Sequence, residues 1–188
     1  MLDKSLTYHH VIMHRKPGTP LPCFELPSGY KFVFYKAGDE KYRAVLEASV
    51  GEFPSEVDAL LYFQKRYGGY LEELKRRCIF IENAAGEKVG TATAWWTYTG
   101  TRRDPWVHWV SVSPDYQGKG LGLALSSKII ELMLEIEGDR DFYIHTQTWS
   151  HKAIRIYEKV GFYITPEQGL GGYENSEYDK AVSLLNSL

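Results

Sequence analysis

The residues best suited to chemistry gather in Gln117-Gly118-Lys119-Gly120-Leu121-Gly122, where an apolar run gives way to a helical pattern. Glycines at every second position are poor helix material, each costing about 1 kcal/mol relative to alanine in a helix interior. A glycine-rich turn, however, lets a bulky anion approach the backbone. A helix start adds unpaired N–H donors and the positive end of the helix dipole. The stretch therefore predicts a site for a phosphate-bearing ligand. Two nucleotide loops fail on spacing. In the Walker pattern, Ser113 would stand at the first glycine and Gly120 at the hydroxyl residue. In the dinucleotide fingerprint, the last small residue would be Leu123 or Leu125, depending on register.

The elements that must position this turn alternate between strand and helix patterns. Residues 1–29 read as an N-terminal arm in which residues 8–14 suit a strand, followed by Pro17, Pro20, Pro22 and Pro27. Residues 30–36 are rich in strand formers. Asp39 suits a helix cap, with Tyr42, Val45, Leu46 and Ser49 on one side of the following helix. Pro54-Ser55-Glu56 opens a second helix, with Val57, Leu60, Leu61 and Phe63 on or near its buried stripe and a stop at Gly68-Gly69; a further helical piece covers 70–77. Residues 78–81 and 89–96 form a hairpin across Asn83-Ala84-Ala85-Gly86. A polar loop over 99–105 precedes a central strand over 106–112. After the glycine turn, Leu121, Leu125, Ile129, Leu132, Met133 and Ile136 make a buried helical stripe. A strand over 141–148, a short helix capped by Ser150 and closed by Gly161, and a strand from Phe162 follow. The loop Gly169-Leu170-Gly171-Gly172 leads to a last element, 178–185, whose type is open. This order predicts an α/β arrangement (α+β-type) with a mixed central sheet flanked by helices, since the hairpin is antiparallel and the strand–helix–strand unit 106–148 favours a parallel pair.

The glycine turn also satisfies Gln/Arg-x-x-Gly-x-Gly/Ala through Gln117, Gly120 and Gly122, after a strand ending in Val112-Ser113-Pro114. On these residues the chain resembles the GNAT superfamily of N-acetyltransferases. A second stretch supports the likeness: Ala153, Tyr157, Gly161 and Phe162 resemble the family's Asn-x-x-Ala-x-x-x-Tyr-x-x-x-Gly-Phe helix, with Ser150 in place of the usual asparagine. The resemblance implies a GNAT-like acyl-CoA N-acyltransferase fold and one domain over 1–188. It also implies acetyl-coenzyme A (coenzyme A) as co-substrate, its pyrophosphate held by Gln117, Gly118, Lys119, Gly120, Leu121 and Gly122. Backbone groups around Val110 and Val112 would pair with the pantetheine arm, and Ser150 stands where the family makes a further cofactor contact.

Acetyl transfer to an amine needs a positioned thioester, a neutral amine, stabilisation of the developing oxyanion and a proton for the departing thiolate. The resemblance implies Tyr157 as the acid; packing beside Ala153 and Val160 is the plainer role for the same residue. Trp106, His108, Val110 and Val112 share one strand face by alternation. Family members place acid/base residues there, which makes His108 the leading base, with His145 and a water chain as rivals. Tyr62, Tyr70, Trp95, Trp96 and Tyr98 come from regions that line acceptor sites in the family, or else fill the core. His9, His10 and His14 read as surface or arm residues without metal-ligand spacing. The implied activity is direct acetyl transfer to a primary amine of a small molecule or peptide, without metal. The alternatives are a non-catalytic acyl-CoA sensor and an enzyme using a longer acyl-CoA.

Composition sets outer bounds on partners. The 188 residues at 44% hydrophobic can build a sizeable core. A net charge of −2 supplies no basic field for nucleic acid or membrane surfaces. Cys23 and Cys78 lack paired spacing, and residues 1–16, interrupted by charges and histidines, read as neither a signal-peptide core nor a membrane-spanning segment. A cytoplasmic protein is expected, and assembly into a homodimer stays open.

Overall fold

The computed structural model describes residues 2–167 and 170–188. The strands are β1 (His10–Arg15), β2 (Tyr30–Phe34), β3 (Cys78–Asn83), β4 (Lys88–Thr99), β5 (Arg102–Val112), β6 (Phe142–Gln147) and β7 (Tyr163–Ile164). The α-helices are α1 (Glu40–Ser49), α2 (Glu56–Tyr67), α3 (Leu71–Arg77), α4 (Leu121–Glu137), α5 (His151–Lys159) and α6 (Tyr178–Asn186). The strands form one seven-stranded sheet in the order β2-β3-β4-β5-β6-β1-β7. β5 and β6 pair in parallel through Trp106 and Tyr143, whereas β2/β3, β3/β4, β1/β6 and β1/β7 are antiparallel. The sheet is mixed, as the element order predicted. The open last element is a helix, α6. Of the expected glycine loop, Gly169 lies outside the described residues.

Contacts divide the chain into two compact units. The first takes in 23–93 and 109–129, and its core includes Leu74, Ile79, Phe80 and Ile81, all essentially without exposure. Here the expected helix stripes hold only in part, at Leu46 and Phe63. α1 buries Arg43, Ala44, Leu46 and Glu47, while Tyr42 and Val45 are exposed. Apolar periodicity overlooks a charged pair whose hydrogen bonds are met inside. Arg43 Nε donates to Glu47 Oε1 at 2.5 Å, Nη1 to Thr93 Oγ1 at 2.9 Å and Nη2 to the Tyr67 hydroxyl at 2.7 Å. With Tyr67 and Phe63 facing that guanidinium, α2 buries Ala59, Phe63 and Tyr67 and leaves Val57 and Leu61 outside. It starts at Glu56 as expected, and the Ser55 hydroxyl caps it by accepting from Asp58 N–H. Asp39 precedes α1 but does not cap it through its side chain; its carboxylate accepts from the Lys36 N–H and pairs with Lys88.

The second unit takes in 2–22, 94–108 and 130–188. The N-terminal segment contributes β1, hydrogen-bonded to β6 on one side and β7 on the other. Val11, Ile12, Met13, His14 and Arg15 are accordingly all buried. This overturns the surface reading of His14, which is enclosed by Asp141 at 2.7 Å, the Tyr163 hydroxyl at 3.0 Å and Glu167 at 3.0 Å. The expected loop over 99–105 is instead the end of β4, a two-residue turn and the start of β5. Buried Asp104 draws this polar stretch into the sheet by accepting from Thr99 Oγ1 at 2.5 Å and Arg102 Nε at 2.6 Å.

Candidate active site

In the first unit, β5 runs into the glycine turn through a 3-10 turn at Pro114–Tyr116. The start of the turn is tied down: Ser113 N–H donates to the Val89 carbonyl at 2.8 Å, and the Gln117 side-chain amide donates to the Val112 carbonyl at 2.9 Å. Gln117 thus acts as a brace between strand and turn. Gly118 and Gly120 have φ of +77° and +82°, the left-handed region that L side chains avoid, and no atom lies within 4 Å of where a Cβ would stand on either. The backbone is therefore both shaped by glycine and open on its outer side. Leu123 and Ala124 N–H donate to the Gly120 carbonyl at 3.2 and 3.1 Å. The N–H groups before them stand ahead of the first helical bond, where an α-helix leaves its donors unpaired. Buried Leu121 anchors the first turn, and Lys119 Nζ lies 4.7 Å from the Tyr116 ring centroid. Such a cradle fits a pyrophosphate.

On β5, Trp109 has φ +53°, the one positive φ at a non-glycine among the described residues. It interrupts the alternation on which the face 106, 108, 110, 112 was read. Val107 is buried, His108, Trp109 and Val110 are half-buried in succession, and Ser111 and Val112 are both buried. Trp109 packs with Phe53 and Tyr62 at centroid distances of 5.0 and 5.3 Å. Of the proposed acceptor aromatics, Tyr62 therefore belongs to an aromatic group, one whose other members, Phe53 and Trp109, carry no signal in the sequence. Tyr70 and Tyr98 are exposed, and Trp95 is a core residue stacked on Trp96 at 4.2 Å.

In the second unit, Tyr157 is 7% exposed on α5, and its carbonyl accepts from Val160 and Phe162 N–H to close the helix. Ser150 occupies the N-cap position of α5 without a side-chain cap; its hydroxyl accepts from the Gln147 amide at 3.2 Å instead. His108 stacks on Trp106 at 4.9 Å. His145 meets a partner that sequence reasoning missed: its Nε2 lies 3.0 Å from His10 Nδ1. Tyr173 covers both rings, at 4.2 Å from His10 and 4.7 Å from His145. Burial, and then the neighbouring His10, push His145 down to about 4. Burial also lowers His10, against the raising effect of Glu177. Burial pushes the Cys78 thiol up, which keeps it an unreactive core group. Among the described residues no cluster of three or more His, Cys, Asp or Glu could hold a metal ion, and no helix is long and apolar enough to cross a membrane.

Comparison with known proteins bears on this arrangement. A family model for the acetyltransferase (GNAT) family matches residues 42–162. Thialysine N-epsilon-acetyltransferase of Sus scrofa is 30% identical over 74 residues, covering 39% of this chain and 43% of that protein. A GCN5-related N-acetyltransferase from Sphaerobacter thermophilus superposes with a TM-score of 0.63 at 23% identity, over 83% of this chain and 48% of the other. An acetyltransferase of the GNAT family from Colwellia psychrerythraea gives a TM-score of 0.60 at 13% identity, over 85% and 55%. The chain thus spans about half the length or less of these relatives, and at such identities the solved structures establish the fold alone. The family match takes in the glycine turn, β5, β6 and α5 and extends over more than half of the 188 residues: this chain belongs to the acetyltransferase (GNAT) family.

Proposed function

We propose that this chain transfers the acetyl group of acetyl-coenzyme A directly to a primary amine, and that residues 1–188 work as one domain. The observation that carries the reading is the pair of left-handed glycines, Gly118 and Gly120, opening the N-terminus of α4 with free space outside them. In this reading the backbone N–H groups of 118–122 hold the pyrophosphate, Gln117 braces the turn from the Val112 carbonyl, and Lys119 adds a positive charge. Main-chain groups of Val110 and Val112 pair with the pantetheine amides, and the Trp109 kink re-aims the backbone between them. Ser150 lies at the start of α5 as a further cofactor contact.

When bound, the thioester supplies an acyl carbon activated for attack. The chain's own residues then manage protons. His108 accepts one from the amine as the nitrogen–carbon bond forms, and Tyr157 gives one to the sulfur as the carbon–sulfur bond breaks. The relative's name specifies an N-epsilon amine, so side-chain amines of amino acids are the first acceptors to try here.

The test is calorimetric binding of coenzyme A followed by thiol release from acetyl-coenzyme A with thialysine, lysine, polyamines, aminoglycosides and peptides. Turnover with one class of amine is expected. Tight binding without turnover on any amine would favour an acyl-CoA sensor, turnover only with longer acyl donors would reassign the donor, and absence of binding would sink the reading.

A further inference from the structure

The antiparallel register of β1 and β6 sets Ile12 opposite His145 and His10 opposite Gln147, so His10, Ile12, Tyr143 and His145 share one sheet face. The parallel pairing of Trp106 with Tyr143 puts β5 side chains on the same face, His108 being two residues beyond Trp106. Four histidines from three neighbouring strands thus emerge on one face, since His14 stands opposite Tyr143 and stacks on it at 4.8 Å. Two of them touch: His145 Nε2 and His10 Nδ1 are 3.0 Å apart, a distance that requires one to donate and the other to accept.

We infer that His145 and His10 form a two-imidazole proton relay for the acceptor amine, ending beside Glu177. This rests on the acetyl-transfer reading and extends it to an acceptor that arrives as an ammonium: the relay removes the first proton before attack, and His108 takes the second as the nitrogen–carbon bond forms. In the relay, His145 Nε2–H donates to His10 Nδ1. His145 is half-buried, and Nε2 is the nitrogen turned to His10, so Nδ1, with its lone pair, is the nitrogen left for the amine. As that nitrogen takes the amine proton, the Nε2 proton passes to His10. His145 ends neutral, the positive charge sits on His10, and the amine is left with its lone pair. His145 alone is a poor resting place for the charge because burial pushes it down to about 4. His10, itself lowered by burial, has the counter-charge that His145 lacks. Glu177 accepts its backbone N–H at 3.1 Å and favours its charged form.

The other titratable groups facing the pair are Tyr8, whose hydroxyl is 3.5 Å from His10 Nδ1, Tyr173, stacked on the His145 ring and tilted against the His10 ring, and His9, bound to Glu177 at 3.2 Å. His145 is the catalytic residue of this relay; His10 and Glu177 act through it.

The experiment is the pH dependence of kcat/KM for thiol release with the best amine, for the whole protein and for His145→Gln, His10→Gln and Glu177→Gln. His145→Gln is expected to lower kcat/KM at neutral pH by about tenfold or more and to change the acidic limb of the profile to the part set by His108, with the affinity for coenzyme A retained. His10→Gln and Glu177→Gln are expected to move that limb to lower pH. A folded His145→Gln with unchanged rate and pH profile overturns the relay while acetyl transfer stands. Absence of thiol release from the wild-type protein across the amine panel overturns both. Nitrogen-15 NMR of the wild-type imidazoles gives an answer even if a variant misfolds. A single proton shared by the coupled pair and settling on His10 is expected, and two rings titrating independently near 6.5 would overturn the relay.

Discussion

Replacing Gly120 by alanine separates what the backbone conformation needs from what a ligand needs, because the structure supplies a matched control. Gly120 has φ +82° and Gly138, at the other end of α4, has φ +75°; an added Cβ at either meets nothing within 4 Å. Each substitution therefore carries the left-handed penalty of about 1–2 kcal/mol and no steric clash. For a chain of this length that lowers Tm by roughly 2–8 °C in both variants. Only Gly120→Ala puts a methyl group over the donors at the start of α4. Losing one charge-assisted hydrogen bond there costs roughly 1.5–3 kcal/mol, so the Kd for coenzyme A should rise about 10- to 100-fold. Gly138→Ala should bind as the wild type does. Calorimetry with coenzyme A, with melting curves on the same samples, reads both quantities. Equal affinity in the two variants, whether both unchanged or both weakened, would refute the assignment of the pyrophosphate to this turn.

Tyr157→Phe keeps the buried ring and removes the hydroxyl. Steady-state kinetics should show kcat reduced by about tenfold or more with little change in the KM for acetyl-coenzyme A; an unaltered kcat would leave Tyr157 a packing residue. Arg43→Met strands the Glu47 carboxylate, 2% exposed, and should cost about 3–5 kcal/mol in urea unfolding, with much of the loss recovered in Arg43→Met/Glu47→Leu. Stability should also fall on acidification between pH 6.5 and about 4. The depressed His145 stays neutral there while the unfolded chain takes up its proton. A shift from 6.5 to about 4 amounts to roughly 3 kcal/mol as an upper bound, lessened by residual exposure. His145→Gln should flatten that slope. The Glu177 carboxyl, held low chiefly by the His10 N–H, loses its contribution only at still lower pH.

Signals that depend on near neighbours in the chain were legible. The hairpin at 83–86, the turn at 117–122, the α4 stripe and the α5 stop at Gly161 all follow from backbone rules acting over a few residues. The stripes of α1 and α2 are legible only at Leu46 and Phe63, because the groups that satisfy Arg43 lie on α1, α2 and β4. No local window holds them all. The kink at Trp109 carries no composition signal either, since tryptophan is an ordinary strand residue and only its surroundings hold it at φ +53°.

The donor half of the proposed chemistry is thus written in the sequence, in two short motifs whose glycines and helix start make a phosphate cradle by local geometry alone. The candidate acceptor half is not. His10 and His145 are 135 positions apart, and they meet because β1 hydrogen-bonds between β6 and β7. Placing an N-terminal strand there is a choice among sheet pairings of similar local propensity, made by the burial of Val11, Met13 and Arg15. Such a choice follows from the packing of the whole sheet.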